Sequence, residues 1–218
     1  MSEAEEPTVR VDFLAGFNRQ VRLAIASSPG LRAVGFGALK RLMDKVKPSL
    51  IAQIFCHHFP TLHDTTPSYA AKPGAYGFAG VILSGGIPEY PTVKIYYSSK
   101  PEAIIVEGYH ANFYGQYEVA EATVNILKRF KVKRLIVLAG YALEGEPVCC
   151  AASSSEILKE AEKFGVKPRY VGSFIGFSGL LAGLALTEGL EVLCRFGRTL
   201  SKTMRNIETG IFIGEEAA

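Results

Sequence analysis

The stretch QVRLAIASSPGLRAVGFGALKRL, residues 20–42, combines the signals of a strand, a turn and a helix. Its first part is an apolar run typical of a strand, which Pro29-Gly30 interrupts. From Val34 onward, apolar residues recur at helical spacing until Pro48 ends the pattern. The segment therefore predicts a strand that leads directly into a helix, which is the repeating unit of α/β folds.

The same alternation continues along the rest of the chain. Further strands are predicted at 50–56, 76–83, 92–97, 103–106, 134–139, 170–171 and 191–194. Amphipathic helices are predicted from Val119 to Phe130 and from a Ser153–Glu156 capping box to Phe164. The alternation indicates a three-layer α/β fold, with a mostly parallel sheet and helices on both faces.

The chain length and composition are typical of one globular domain. The chain has 218 residues and no internal repeat, linker or low-complexity tract. A single domain over residues 1–218 is therefore predicted, with flexible ends at 1–12 and 205–218.

Charge and hydropathy exclude several functional classes. A net charge of +3 is too small to indicate a nucleic-acid partner. The acidic N-terminus is not a signal peptide, and glycines dilute the uncharged run at 170–187 too much for a membrane span. Two of the four cysteines are adjacent, unlike a disulfide framework. We expect a cytoplasmic protein with no membrane contact and no cofactor.

The glycines of the opening stretch resemble a phosphate loop, but neither known pattern is complete. Gly30 and Gly35 have the spacing of a P-loop, yet Phe36-Gly37 stands where Lys and Ser or Thr are required. Lys40 occupies the third glycine position of a dinucleotide fingerprint. The favoured interpretation is that Gly35 and Gly37 let the helix lie close to the sheet. An anion site at the Pro29-Gly30 turn is the alternative.

Ligands of parallel sheets bind at the carboxyl ends of the strands, so the loops at that edge are the candidate sites. These loops are predicted at 27–33, 56–66, 107–117, 140–147 and 172–179. Their anion-binding or ligand-binding candidates are Pro29, Gly30, Tyr109, His110, Gln116 and Ser178. GFSG at 176–179 is not a nucleophile elbow, and Ser178 would need a base supplied by the fold.

The densest group of metal-ligating side chains lies in CHHFPTLHD, residues 56–64. Its candidate ligands are Cys56, His57, His58, His63 and Asp64. Thiolate, imidazole and carboxylate are the ligands that zinc selects, but the spacing follows no regular zinc motif. A polar loop is therefore the alternative to a metal site.

Four segments resemble, in order, successive blocks of the proteasome assembly chaperone 2 family in its archaeal form. They read PGLRAVGFGALKRLMDKVKPSLIAQIF, EGYHANFYGQYEVAEATVNILKRFKVKRLIVLAGY, CCAASSSEILKEAEKFGVKPRY and FIGFSGLLAGLAL. The resemblance covers about residues 20–195. It implies a phosphorylase/hydrolase-like α/β fold without an established catalytic centre.

The resemblance also implies a function through protein–protein binding. It implies a homo-oligomer, with a paralogous chaperone subunit or proteasome α subunits as further partners. Binding members of the family dock through a C-terminal hydrophobic–Tyr–any tripeptide, whereas this sequence ends GEEAA. Aromatic residues, dense from Phe55 to Tyr117, suit either a core or such an interface. The alternative is a phosphorylase- or hydrolase-like enzyme, or an ATP-grasp-like protein, that binds a small anionic or nucleoside ligand.

Overall fold

The computed structural model of the chain describes residues 8–14, 16–59, 80–142 and 146–199. Its strands are β1 Val9–Phe13, β2 Leu23–Ser27, β3 Ser49–Cys56, β4 Ile82–Ser84, β5 Ile87–Glu89, β6 Val93–Ser99, β7 Glu102–Glu107, β8 Arg134–Tyr141, β9 Val148–Ala152, β10 Lys167–Pro168 and β11 Glu191–Arg198. Its helices are α1 Val34–Val46, α2 Gln116–Arg129, α3 Ser155–Glu162 and α4 Gly176–Thr187. A short 3-10 turn, Leu31–Ala33, precedes α1.

Nine of these strands form one mixed sheet in the order β1-β3-β6-β7-β2-β8-β11-β9-β10. The four central strands β7, β2, β8 and β11 are parallel. Towards one edge β6, β3 and β1 are each antiparallel to their neighbour, and on the other side β9 is antiparallel to β11. β7, β2 and β8 contain continuous apolar runs, as expected of strands covered by helices on both faces. The predicted three-layer α/β fold is confirmed.

Two hydrophobic cores lie on opposite faces of the sheet. Leu135 and Val137 of β8 face one core, which they share with buried residues of α2 and α4. Leu138 faces the other core together with Leu39 of α1 and Ala161 of α3. Successive side chains of a strand point to opposite faces, so each central strand contributes to both cores.

The hairpin of β4 and β5 differs from the strand pairing predicted around SGGIPEYP. The predicted partners were 76–83 and 92–97, but β4 pairs with β5 in a separate two-stranded sheet, and β6 pairs with β3 and β7. Gly85 and Gly86 both have positive φ, +58° and +83°. Two such residues form the tight turn that joins adjacent antiparallel strands. Residues 76–79 lie outside the described part of the chain.

The start of α3 lies one residue later than the predicted capping box. Ser154 is the N-cap, and its Oγ accepts a hydrogen bond from the Ile157 N–H at 3.4 Å. The Ser153 Oγ instead accepts from the Val192 N–H at 2.9 Å, which links this turn to β11. The helix ends at Glu162, so Phe164 lies beyond it and is 77% exposed rather than buried.

Three further regions differ from the predicted elements. Residues 170–171, predicted as a strand, form none, and β10 lies just before them at Lys167–Pro168. Residues 9–12, placed in a flexible N-terminus by the sequence, belong to β1 at the edge of the main sheet. Residues 148–152, where no strand was predicted, form β9 and carry the adjacent cysteines. All four cysteines are free and buried. Within the described ranges, no helix is both long and apolar enough to cross a membrane.

Candidate functional site

A cavity of about 300 Å³ lies where β2 and β8 end and where α1 and α4 begin. This is the edge at which ligands bind in parallel sheets. Its walls are mostly apolar, and the larger side chains are Leu31, Val34, Leu138, Phe174, Phe177 and Phe196. Polar atoms come from Ser28, Asn112, Tyr141, Ser173 and Ser178. Among the described residues that line it, none is Asp, Glu, Lys, Arg or His.

A pair of buried serine hydroxyls lines this cavity. Ser28 Oγ and Ser178 Oγ are 2.8 Å apart, and the two residues are 6% and 7% exposed. They are 150 residues apart in the chain, with Ser28 directly after β2 and Ser178 in the first turn of α4. The partner of Ser178 is thus another hydroxyl rather than the base that a nucleophilic serine requires.

Close backbone approaches hold these elements together around the cavity. A Cβ on Gly35 would lie 2.3 Å from the Leu138 carbonyl oxygen, and a Cβ on Gly108 would lie 2.6 Å from the Ser28 Cβ. The first contact confirms that Gly35 lets α1 lie directly on the sheet. The same prediction is wrong for Gly37, since a Cβ there would meet no atom within 4 Å.

The turn from β2 into α1 is a left-handed segment rather than a phosphate loop. Arg32 and Ala33 have φ values of +49° and +55°, a backbone conformation that residues other than glycine rarely adopt. No side chain caps the first turn of α1.

Lys40, which replaces the third fingerprint glycine, pairs with Glu107 Oε1 at 2.5 Å. Glu107 Oε2 accepts a hydrogen bond from the Tyr96 hydroxyl at 3.1 Å. The lysine therefore neutralises a carboxylate at the end of β7.

Of the predicted ligand residues, Gly30 and Ser178 line the cavity. The other candidates do not line it, although Ala111 and Asn112 of the same β7–α2 loop do. The Tyr109 hydroxyl accepts a hydrogen bond from the Gly80 N–H at 2.8 Å, and Gln116 is the first residue of α2. Pro29 lies in the turn after β2. A role in ligand binding remains a prediction for all of these candidate residues.

His110 lies in this loop with its Nδ1 2.7 Å from the Asn112 carbonyl oxygen. Burial lowers the pKa of His110 below its ordinary value of 6.5, and the hydrogen bond to Asn112 only partly opposes this effect. The folded chain thus binds the proton less readily than the unfolded chain does.

Stability is therefore expected to decrease as the pH falls below about 6.5, where the unfolded chain binds the proton first. His110→Gln removes this titration and is expected to reduce the slope of stability against pH. Urea unfolding of both proteins from about pH 5 to pH 8 measures the two slopes. Equal slopes would show that His110 does not contribute to the pH dependence of stability.

Two of the predicted metal ligands lie together beside Gly115. A Cβ on Gly115 would be 3.2 Å from Cys56 Sγ and 3.1 Å from His58 Cδ2. Burial raises the pKa of the Cys56 thiol, which disfavours the thiolate that zinc binds. His63 and Asp64 lie outside the described residues, within which no three potential ligands form a metal-binding group. The metal site remains a prediction.

The cavity and fold can now be compared with known proteins. An uncharacterised protein of Methanocaldococcus jannaschii, MJ1210, is 25% identical over 185 residues, which cover 81% of this chain. The match spans 65% of that relative's length.

Two solved structures from Pyrococcus furiosus have similar folds. The archaeal proteasome activator PbaB superposes with a TM-score of 0.73 at 18% identity, over 96% of this chain and 88% of PbaB. PbaA, an archaeal homologue of proteasome-assembly chaperone, superposes with a TM-score of 0.70 at 23% identity, over 96% of this chain and 85% of PbaA.

A family model also matches most of the sequence. The model of the PAC2 family matches residues 24–204. This range starts in β2, contains both loops that carry the Ser28–Ser178 pair, and extends past β11. The chain belongs to the PAC2 family.

Proposed function

We propose that the protein is a proteasome assembly chaperone-like protein that acts in the cytoplasm by binding other proteins as an oligomer. Membership of the PAC2 family is the observation that carries this proposal. Its similarity in fold to PbaA and PbaB supports the proposal. The partners proposed are a second copy of the chain, a paralogous chaperone subunit and proteasome α subunits.

An exposed apolar hairpin provides a surface suited to this function. Leu83 of β4 is 72% exposed and Ile87 of β5 is 69% exposed. In the hairpin register Leu83 lies opposite Pro88, and Ile87 lies opposite Ser84, so the two apolar side chains are on opposite faces. A two-stranded hairpin is marginally stable alone, so a partner that covers these two exposed side chains would also stabilise the hairpin.

The base of the hairpin is attached to the edge of the sheet that carries the cavity. Before β4, the Gly80 N–H donates to the Tyr109 hydroxyl in the β7–α2 loop. After β5, Lys94 of β6 pairs with Glu89 at 2.8 Å. The hairpin is thus held at both ends while its apolar side chains remain exposed. This arrangement suits a docking element.

The test uses purified α subunits of the proteasome from the same organism. We expect the full chain to bind them and to accelerate their assembly into rings, measured by native mass spectrometry. The double variant Leu83→Ser/Ile87→Ser is expected to bind at least about tenfold more weakly, since it removes two large apolar side chains that binding would bury. Its thermal stability is expected to change little, because both residues are exposed.

The matched control is Phe164→Ser/Tyr170→Ser, which removes two exposed aromatic side chains near β10, at the opposite edge of the sheet from β1. We expect it to bind α subunits normally. Equal losses in the two double variants would reject the hairpin as the docking surface. A monomeric chain that binds no α subunit would reject the proposed function itself.

A further inference from the structure

We propose that the cavity between α1, α4 and the ends of β2 and β8 binds a small monocarboxylic acid with an apolar tail. Its volume of about 300 Å³ lies at the lower end of the range for small-molecule pockets. Exposed rim residues, Ser173 and Ile175, leave it open to solvent. The chemistry of its lining identifies the two ends of the ligand.

The Ser28–Ser178 pair supplies a hydrogen-bond donor at the polar end. Two hydroxyls that bond to each other use only one of their two protons. Neither hydroxyl has a further partner within the described part of the chain, and both residues line the cavity. A ligand that accepts the second proton would satisfy a buried donor that otherwise costs free energy.

The helix ends on either side of this pair favour a negative charge. The N-caps of α1 and α4 are Ala33 and Ile175, and neither helix has a side-chain cap. The first turns of both helices line the cavity through Val34, Phe177 and Ser178. The Phe177 N–H of α4 already donates to the Ala111 carbonyl, and the other N–H groups of the two first turns leave partial positive charge beside the cavity, which attracts an anionic acceptor.

The remaining walls indicate a single charge and an apolar tail. Leu138, Val171 and Phe196 line the cavity, and no described lining residue is cationic. A phosphate dianion carries about twice the charge of a carboxylate and would lose more hydration free energy there, with no cation to compensate. A carboxylate has one charge and two acceptor oxygens, and its alkyl or aryl tail matches the apolar walls.

The primary experiment uses the purified full chain without any proteasome component, so its outcome is independent of the chaperone proposal. Butyrate, hexanoate and octanoate are titrated by calorimetry and thermal denaturation, with 1-hexanol and hexylamine as matched controls. Hexanoate is expected to bind at one site and to raise the Tm by about 3–6 °C at ten times its Kd. Affinity is expected to increase about fourfold per added methylene until the cavity is filled.

Absence of hexanoate binding up to about 10 mM would overturn the proposal. Binding of 1-hexanol as tight as that of hexanoate would overturn the assignment of an anionic head group. Tighter binding of hexylamine than of hexanoate would also contradict an anionic head group.

A variant pair on α4 locates the site. Ser178→Ala removes the buried hydroxyl and is expected to weaken hexanoate binding about tenfold, as for a hydrogen bond to a charged group. Thr187→Ala removes an exposed hydroxyl at the other end of the same helix and is expected to bind like the unmodified chain. Unchanged affinity in a folded Ser178→Ala protein would overturn the assigned position. If that variant does not fold, the comparison of hexanoate with 1-hexanol decides the proposal.

Discussion

Gly35→Ala is expected to lower the free energy of unfolding by about 3 kcal/mol, at the upper end of overpacking effects. The new Cβ would lie 2.3 Å from the Leu138 carbonyl oxygen and 2.4 Å from the Ala139 nitrogen. Both are backbone atoms of β8, so no side-chain rotation can relieve the contact. Helix α1 would have to move away from the sheet, which would open the core around Leu39 and Leu42. Urea unfolding of the two proteins measures the difference.

The control for this experiment lies two residues further along α1. A Cβ on Gly37 would meet no atom within 4 Å. Gly37→Ala is therefore expected to stabilise the protein by up to about 1 kcal/mol, since alanine loses less backbone entropy in a helix than glycine does. Similar changes in both variants would mean that helix propensity, rather than the contact with β8, determines the outcome.

Phe177→Ala is expected to destabilise the protein by about 3–5 kcal/mol, the usual cost of removing a buried aromatic side chain. Phe177 is 1% exposed and lies in the first turn of α4, where its backbone N–H donates to the Ala111 carbonyl at 2.6 Å. Its ring packs near Phe113 and Gly108, so it joins α4 to the loop after β7. The Tm is expected to fall by about 10 °C, measured by calorimetry.

An exposed phenylalanine provides the matched control. Phe164 lies just after α3 and contributes little to either core. Phe164→Ala is expected to change stability by no more than about 0.5 kcal/mol. If Phe177→Ala lowered the free energy of unfolding equally little, the position of α4 would not depend on the packing of the Phe177 ring.

The cavity and the apolar hairpin lie at the same edge of the sheet. The β7–α2 loop contacts both, since Tyr109 accepts from Gly80 at the base of the hairpin and Asn112 lines the cavity. The ligand experiment and the α-subunit experiment test these two features separately. Ligand binding without α-subunit binding would retain the cavity proposal and reject the chaperone proposal.

Local sequence signals predicted the central layer of the fold. Residues 103–106 and 135–139 are continuous apolar runs, and each lies within a parallel strand buried on both faces. Helix α1 could be predicted because its apolar residues recur with the helical period from Val34 until Pro48 ends the pattern. The residues at the required motif positions, Phe36-Gly37 and Lys40, also exclude both phosphate loops from the sequence alone.

Elements at the periphery were less predictable. β9 has only five residues, and its two cysteines point to opposite faces of the sheet, so no amphipathic pattern marks it. The β4–β5 hairpin could have been found from its two adjacent glycines, which are a recognised turn signal. Ser154 became the N-cap because the neighbouring serine bonds to β11, a contact that depends on the folded sheet.

In the stretch from Gln20 to Leu42, the sequence alone determined a strand, a turn and a helix, because these depend on residues close in the chain. Only the tertiary structure decided that Gly35 contacts β8 while Gly37 faces open space. It also decided that the hydroxyls of Ser28 and Ser178, 150 residues apart in the chain, form a hydrogen bond, and that Lys40 pairs with Glu107. Such contacts depend on how strands are ordered in the sheet, which local spacing does not encode.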